Sequence, residues 1–303
     1  MKVLITGGAG FIGSNTADLM INKGYDVVIV DNLSSGNIEN INKKAKFHKI
    51  DIRDEMLYKI FKEEKPDYVI HLAAQINARK SIEDPISDAS VNIMGGLNIL
   101  NCCKNYGVTK IIYSSSAAVY GDAKRIPTPE DYPSELLCPY AISKYTFESY
   151  LKGSGVPYII LRYSNVYGPR QDAKGEAGVI SIFISKLLKG ESLHIFGDGE
   201  QTRDFIYVED VAKAELLALQ NDESGIFNIS TGQETSVNNL FKILKESIQS
   251  KSEVHHNDPI EGEIRRSCLD CSKAKKELKW MPKISICEGL NKTVMWFQTR
   301  DSK

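Results

Sequence analysis

No run of apolar residues approaches the roughly 18 that a membrane-crossing helix needs. The opening residues Met1-Lys2-Val3-Leu4-Ile5-Thr6-Gly7 lack the charged start, long apolar stretch and small-residue cleavage site of a secretory leader. The expected setting is the cytoplasm, with no membrane partner. An excess of charge of one sign is also missing. Lys and Arg number 38 against 39 Asp and Glu, for a formal net charge of -1, which gives no electrostatic footprint for nucleic acid. Six cysteines are too scattered for a disulfide framework, with only Cys102 and Cys103 adjacent. Cys268 and Cys271 form a lone CxxC without a second ligand pair at suitable spacing, so no metal site is expected. His255-His256 have no acidic or cysteine company and read as a solvated strand end. Internal repeats, low-complexity tracts and a Pro-, Gly- or Ser-rich linker are absent as well.

What is present is an ordinary globular composition, with 42% hydrophobic and 25% charged residues in a chain of 303. That length fits one large α/β domain, or one plus a smaller lobe. Val3–Thr6, Val27–Val30, Phe47–Ile50, Tyr68–Leu72, Lys110–Ser114 and Tyr158–Arg162 read as strands. Several are near-continuous apolar runs, as buried parallel strands should be. Amphipathic segments near Ile12–Lys23, Asp54–Glu64, Asp88–Tyr106 and Tyr140–Lys152 separate them. Such alternation predicts an α/β fold, a Rossmann-type doubly wound parallel sheet with helices on both faces. From about residue 165 the rhythm changes. Helices are expected near Val179–Lys189, Asp210–Gln220, Ser236–Ser247, Ser272–Leu278 and after Ile286, with short strands at Leu193–Phe196, Phe205–Tyr207 and Ile226–Ile229. The expected division is 1–164 for a cofactor domain and 165–303 for a smaller α/β substrate lobe, from which the chain returns to the first domain.

Gly7-Gly8-Ala9-Gly10-Phe11-Ile12-Gly13 follows the first strand and opens a helix. Gly7, Gly10 and Gly13 form GxxGxxG, a variant of the dinucleotide fingerprint. The first glycine permits the tight turn, a later one lets backbone approach a pyrophosphate, and the last lets the helix pack close to the strand. A glycine pattern alone also serves purely steric turns. Asp31 adds weight, since it ends the second strand where a carboxylate accepts hydrogen bonds from ribose hydroxyls and repels a 2′-phosphate. That favours NAD over NADP. Asp51-Ile52 ends the third strand, where adenine is expected, and the small residues of Leu72-Ala73-Ala74 leave room at the end of the fourth.

Tyr140-Ala141-Ile142-Ser143-Lys144 opens a predicted helix. Residues four apart share one helical face, and an ammonium beside a phenol favours the phenolate. Tyr140 is thereby a candidate general base. The same spacing also suits a packed aromatic with a solvated lysine. Ser114-Ser115-Ser116 closes the fifth strand at the carboxyl edge of the sheet, where a serine can hydrogen-bond a reacting hydroxyl or carbonyl. It equally suits turn chemistry. Fingerprint, serine and YxxxK in this order are jointly more specific than any one of them.

On these residues the chain resembles the extended short-chain dehydrogenase/reductases, and among them the UDP-glucose 4-epimerase-like group. The likeness runs through Asp31-Asn32-Leu33, Asp51-Ile52-Arg53-Asp54, His71-Leu72-Ala73-Ala74, Ser114–Gly121, Tyr140–Lys144, Leu161–Gly168, Gly197–Asp210 and Gly262–Asp270. It implies a tightly held NAD lined by Gly7, Gly10, Phe11, Ile12, Gly13, Asp31, Asn32, Ser35, Asp51, Ile52, Leu72, Ala73, Ala74, Ser114 and Tyr163, together with the catalytic pair. It implies Tyr140 as the base, Lys144 as its electrostatic partner and nicotinamide-ribose ligand, and Ser116 as the contact to the substrate hydroxyl. Asn165, Val179, Arg203, Glu263 and Ser267 are implied to bind a UDP-sugar. Read without the family, Arg203 equally suits a surface ion pair, Asn165 a turn, and Ser267 a hydrogen bond in a turn before Asp270 caps the next helix.

The resemblance further implies a homodimer built on the helix that carries Tyr140, a helix expected to end early, at Gly153 or Gly155. Where the family usually has a phosphate-contacting arginine this chain has Ile260, with Arg265 or Arg266 as replacements. The activity implied is 4-epimerisation of UDP-glucose/UDP-galactose, and of the N-acetylated pair if Ser267 leaves room for an acetamide. Dehydratases and decarboxylases of the same fold carry a carboxyl group just after the serine, and this chain has Ala117-Ala118. UDP-glucuronate 4-epimerase remains as a rival, and a non-catalytic NAD-sensing regulator stands as the alternative of another class.

Overall fold

The computed structural model describes residues 1–172, 178–260 and 262–301. Strand β1 (Lys2–Thr6), helix α1 (Phe11–Asn22), strands β2 (Asp26–Asp31) and β3 (Lys46–Lys49), helix α2 (Met56–Glu64) and strand β4 (Tyr68–His71) come first. Next are α3 (Ala78–Glu83), α4 (Pro85–Ala89), a π-helical turn at Ser90–Gly95, α5 (Gly96–Asn105), β5 (Lys110–Ser116), α6 (Pro139–Lys152) and β6 (Tyr158–Tyr163). The remaining elements are β7 (Asn165–Tyr167), α7 (Val179–Leu188), β8 (Leu193–Phe196), β9 (Thr202–Arg203), β10 (Phe205–Tyr207), α8 (Val208–Gln220), β11 (Gly225–Ile229), β12 (Thr235–Ser236), α9 (Val237–Ile248), β13 (Val254–Asn257), β14 (Arg266–Ser267), α10 (Ser272–Glu277) and α11 (Ile286–Asp301).

The main sheet has seven parallel strands in the order β11-β6-β5-β4-β1-β2-β3. Side chains alternate between its faces, and both faces are covered. Val3, Ile5, Val27, Ile29, Ile112 and Leu161 point to one side, where Ala17 and Met20 of α1 and Val211 and Ala214 of α8 meet them. Leu4, Val28, Val69, Ile111 and Ile160 point to the other, against Leu57 and Phe61 of α2, Ile99 of α5, and Phe147 and Leu151 of α6. The central strands are buried on two sides, which is why their sequences are apolar runs rather than alternations, whereas the edge strand β3, Lys46-Phe47-His48-Lys49, has no buried residue. No described helix is long and apolar enough to cross a membrane.

After β7 the chain builds a second core from α7, β8, β10, α9 and α11, with Phe183, Ile184, Leu193, Tyr207, Leu240 and Leu290 at its centre. It returns through α8, which packs on α1, and β11, which extends the sheet beside β6. Lys110 on β5 seals that return, its buried ammonium donating to Ala218 O, Leu219 O and Asn221 O at the open end of α8.

Two stretches differ from the sequence expectation. The helix expected over Asp88–Tyr106 starts earlier, at Pro85, where Asp84 Oδ1 caps it by accepting from Ser87 N at 2.9 Å. It then widens into the π turn before α5. The glycine pair at the end of that turn lies close to its neighbours. A Cβ on Gly95 would stand 2.5 Å from Ile52, and one on Gly96 would stand 2.7 Å from the Phe147 ring of α6. The short α3, capped by Asn77, carries too few residues to show periodicity. His255 and His256 lie on β13, parallel to β8 and exposed.

Helix α6 is fixed to the sheet by a buried ion pair. Arg162 of β6 donates to Glu148 through Nε (2.9 Å) and an amino group (2.6 Å), and Ser115 Oγ donates to the same carboxylate at 2.5 Å. The two side chains are 4% and 0% exposed. Arg162→Met should leave Glu148 buried without a counter-charge and cost about 3–5 kcal/mol, read as a lowered urea midpoint at unchanged slope. The double variant Glu148→Met/Arg162→Met should recover most of that loss. A single variant as stable as the parent would refute the anchoring role.

Candidate active site

The direction of chain connection reverses between β1 and β4, and ligands of open parallel sheets settle at such a point, beyond the carboxyl ends of the strands. A cavity of about 420 Å³ opens there. The turn after β1 forms its floor. Gly7 has φ +70, and a Cβ on it would stand 2.7 Å from Ala73 N in the loop after β4. A Cβ on Gly13 would collide with Gly7 O, so only glycine lets α1 begin so close to the strand. The first turn of α1 therefore starts at the cavity with glycines at 7, 10 and 13, and a helix N-terminus so placed is a cradle for an anion.

Asp31, at the end of β2, is held by two backbone donors, Ala9 N at 3.0 Å and Leu33 N at 2.8 Å. Its carboxylate therefore stands at the cavity wall in a fixed orientation. Asp51 follows β3. The Arg53 guanidinium and the Asn32 amide hold its carboxyl well below the usual range. Every residue expected at the cofactor site lines this one cavity: Gly7, Gly10, Phe11, Ile12 and Gly13; Asp31, Asn32 and Ser35; Asp51 and Ile52; Leu72, Ala73 and Ala74; Ser114 and Tyr163; Tyr140 and Lys144. Glycine cradle, fixed carboxylate and elongated wall suit a dinucleotide.

The three serines at the end of β5 have separate tasks. Ser114 O accepts from Lys144 Nζ at 2.8 Å, and Ser115 Oγ is committed to Glu148. Ser116 Oγ accepts from Ala118 N at 3.2 Å and lines the cavity. Lys144 is 3% exposed, with Nζ 5.0 Å from the Tyr113 ring centroid and 6.0 Å from that of Tyr140. Burial pulls its pKa down to about 8, against the opposing pull of the Asp88 and Glu148 carboxylates. Ser81 of α3, which the sequence did not single out, accepts from Tyr140 N at 3.0 Å and so caps the first turn of α6. Proline at the start of that helix supplies the φ it needs. The helix ends at Lys152, with Gly153 as its cap.

Glu215 is a second residue that carries no signal in the sequence. It is fully buried on α8 and accepts from the Tyr163 hydroxyl at the cavity wall. Burial pushes its carboxyl up to about 8, so it is largely protonated at neutral pH.

The residues expected to bind the sugar nucleotide divide. Ser116, Tyr140 and Asn165 line the cavity, and Gly178, just before Val179, does so as well. Arg203, Glu263 and Ser267 form a separate group. Arg203 donates to Glu263 at 3.4 Å and pairs with Ser267 across β9 and β14. Burial lowers the Arg203 pKa. Arg265 and Arg266, named as replacements for the arginine missing at Ile260, are both engaged in exposed ion pairs. Arg265 forms a two-pronged pair with Asp198 (2.6 and 2.7 Å), and Arg266 pairs with Glu234 (2.9 and 2.5 Å). Asp204, buried between these segments, accepts from Thr231 N and Gly232 N at 2.9 Å each and ties them together. Cys268 donates to the same carboxylate, and burial raises its thiol pKa. Ile76, Val91 and Gln171 also line the cavity without having been singled out. They sit on loops and turns whose sequence carries no fingerprint.

Residues 3–230 match the model of the NAD dependent epimerase/dehydratase family. A UDP-glucose 4-epimerase from Thermotoga maritima, solved with UDP-glucose, is 48% identical, with 99% of each chain covered and a TM-score of 0.96. A UDP-glucose 4-epimerase from Thermus thermophilus, solved in complex with NAD, is 40% identical over 98% of this chain and 99% of its own, with a TM-score of 0.93. A UDP-N-acetylglucosamine 4-epimerase from Methanobrevibacter ruminantium is also 40% identical, over 99% and 98% of the two chains, at a TM-score of 0.94.

The depressed pKa of Lys144 has a kinetic consequence. Burial brings the ammonium close to titration near pH 8, and an ammonium beside a phenol favours the phenolate. Turnover should therefore decline as pH rises through about 8. Lys144→Met should lower kcat about a hundredfold or more and remove that alkaline limb. A wild-type profile flat up to pH 10 would contradict the role given to the ammonium.

Proposed function

The chain belongs to the NAD-dependent epimerase/dehydratase family, and from that membership we propose that it is a 4-epimerase of UDP-hexoses, with the UDP-glucose/UDP-galactose pair as substrates. One observation carries this reading: the buried Lys144 beside Tyr140 opens onto the same cavity as the glycine cradle and Asp31, with Ala117 and Ala118 where an elimination would need a carboxylic acid.

Bound NAD supplies a hydride acceptor and, in the reverse step, the donor. Everything else falls to the chain's own groups. Tyr140, as phenolate, removes the proton of the sugar 4-hydroxyl as the hydride leaves C4, giving a 4-keto sugar. Ser116 Oγ hydrogen-bonds the 4-oxygen in both states. Lys144 keeps the phenolate charged before transfer and returns Tyr140 toward it afterward. The ketone turns its other face to the hydride, and Tyr140 gives the proton back to the 4-oxygen, so atoms and electrons balance with inverted configuration. Asp31 supports NAD over NADP, since a 2′-phosphate would face a fixed carboxylate.

Asn165, Arg203, Glu263 and Val179 are assigned to the UDP-sugar, and Ser267 to the neighbourhood of the sugar 2-substituent, where its small side chain leaves room for an acetamide. The cofactor domain of this reading is residues 1–164 together with the returning α8 and β11, and the other elements after 165 make the substrate lobe. Six unpaired cysteines suit a cytoplasmic setting.

Incubation with UDP-hexoses, UDP-N-acetylhexosamines and UDP-hexuronic acids, with product identification, tests the reading directly. The 4-epimers of the UDP-hexoses are expected, with those of the N-acetylated pair if Ser267 leaves room, and no net NADH absorbance. Tyr140→Phe should retain NAD and lose at least about a hundredfold in turnover. Loss of less than tenfold, worth only about 1.4 kcal/mol of barrier, would remove Tyr140 as the base. Stoichiometric NADH would make the enzyme a dehydrogenase. NAD binding with no product from any sugar would favour a sensor.

We also propose a homodimer across α5 and α6. These helices lie against each other at Gly96 and Phe147, and Met94, Ile142 and Tyr150 stand exposed around them. Sedimentation should give a dimer for the parent and a monomer for Ile142→Lys. An unchanged sedimentation coefficient would place the interface elsewhere.

A further inference from the structure

Behind the catalytic helix lies a buried polar cluster that the steps above leave unused. Asp88 of α4 is 1% exposed. Its Oδ1 accepts from Gln75 Nε2 at 2.9 Å and from Asn92 Nδ2 at 3.1 Å. Its Oδ2 is buried with no hydrogen-bond partner. Asn92 sits in the π turn, a wide turn that recurs at functional sites. Asp88 and Asn92, four residues apart, both lie on the side that faces α6. Asn92 Nδ2 also reaches Ser143 Oγ at 3.0 Å, and its Oδ1 accepts from Gln75 N at 2.8 Å. Ser143 stands between Tyr140 and Lys144 in sequence, and its hydroxyl donates to Tyr140 O at 3.0 Å. A continuous hydrogen-bonded path thus runs from the Asp88 carboxylate to the turn that bears the catalytic tyrosine.

The charges around Lys144 give this path a purpose. From β4 comes His71, which burial keeps neutral, with its pKa pulled down to about 3. From β5 comes Tyr113, whose pKa burial raises well above its ordinary value. Tyr140 and Glu148 lie on the same helix as Lys144, and the Asp88 carboxylate of α4, joined to that helix through Asn92 and Ser143, raises the pKa of Lys144 through its charge. Glu148 is already paired with Arg162. Among the described residues Asp88 forms no salt bridge, so its negative charge is not claimed by another cation.

We propose that Asp88 is a positioning residue of the catalytic pair, its carboxylate acting as the counter-charge of Lys144 and, through Asn92 and Ser143, fixing the turn of α6 that carries Tyr140. This rests on the reading of Tyr140 and Lys144 as the acid/base pair. An unpaired buried carboxylate would be costly in a structure that did not use its field. Here its attraction for the ammonium offsets part of the desolvation that drives Lys144 toward the neutral amine.

The test is a titration of the NAD-bound protein. Tyr140 ionisation is followed by phenolate ultraviolet difference absorbance against Tyr140→Phe, in the parent and in Asp88→Asn. Removing a negative charge disfavours the ammonium and favours the phenolate, so both groups lose their protons at lower pH. The Tyr140 transition and the kcat profile should both move to lower pH by about one unit, a tenfold change in the protonation constant. The kcat at the optimum should fall about tenfold, or about 1.4 kcal/mol, with KM little changed. Ser143→Ala breaks the path without touching the charge, so it should lower kcat and leave the pH midpoints in place. Its behaviour decides the positioning role even if Asp88→Asn folds poorly. Titrations that coincide in parent and Asp88→Asn, or full kcat in Ser143→Ala, overturn the proposal. A parent that epimerises no sugar while Asp88→Asn still shifts the phenolate titration sinks the epimerase reading and leaves the counter-charge standing.

Discussion

A lysine ammonium with almost no access to water is the constraint around which this molecule is arranged. Lys144 gives up hydration worth several kcal/mol and recovers it from fixed groups: the Ser114 carbonyl at 2.8 Å, the face of the Tyr113 ring, and the fields of Asp88 and Glu148. Each belongs to a different part of the fold. Ser114 and Tyr113 require β5 to end where it does. Asp88 requires α4 to begin at Pro85 and the chain to widen at Ser90. Glu148 requires Arg162 on β6, since without that partner a second buried carboxylate would stand unneutralised. The depressed pKa of Lys144 measures how incompletely these groups replace water. It leaves the ammonium charged at neutral pH and close to titration, a state useful to a group that must help a neighbour release and regain a proton.

The parallel sheet explains why these groups meet at one edge. All seven strands run the same way, so their carboxyl ends share one side, and the reversal of connection between β1 and β4 opens a crevice there. Gly7 and Ala73 approach each other across it closely enough that any larger residue at position 7 would collide with backbone. Tyr163 to Val166, at and just after the end of β6, give the crevice its far wall. Behind Tyr163 stands Glu215 of α8, whose carboxyl burial pushes up to about 8 and which accepts from the Tyr163 hydroxyl.

Much of this was legible in the sequence, and the reason is locality. The central strands announced themselves as apolar runs because both faces of the sheet are covered there. The glycine turn, Asp31 and Tyr140-xxx-Lys144 could be read because each depends on residues within one turn or one strand end. Asp88, Ser81, Asn92 and Glu215 were not legible, since each acts on a residue tens of positions away. A buried acid in a helix looks in sequence like any exposed one. Asp88 even supplied the expected start of a helix that in fact begins earlier. Arg203, Glu263 and Ser267 were grouped by family likeness, and the structure does bring them together, at β9 and β14 beyond the cofactor cavity. The partners of the two candidates for the missing arginine are also hidden in the sequence. Asp198 and Glu234, which occupy Arg265 and Arg266, come from loops far away along the chain.

The stripe along α6 joins stability to chemistry. Tyr140, Lys144 and Glu148 recur every four residues and so lie on one face, each about a turn beyond the last. The pair between Glu148 and Arg162 is directional, with two hydrogen bonds in a fork that a point charge would not demand. An apolar contact at that position would hold the helix against the sheet and tolerate small rotations. A slip of one residue turns a helix by about 100°, which would carry the tyrosine out of the cavity and the lysine away from Ser114. The buried ion pair admits no such slip without stranding two charges. Its place in the structure is therefore better understood as fixing the register of Tyr140 and Lys144, the pair proposed to be catalytic, than as adding net stability, since a well-packed apolar pair of equal volume would be at least as stable. Ser81 acts at the other end of the same helix by accepting from Tyr140 N, and Ser143 acts one turn on by donating to Tyr140 O. Three polar contacts spaced along fourteen residues of α6 thus determine where one phenol oxygen stands.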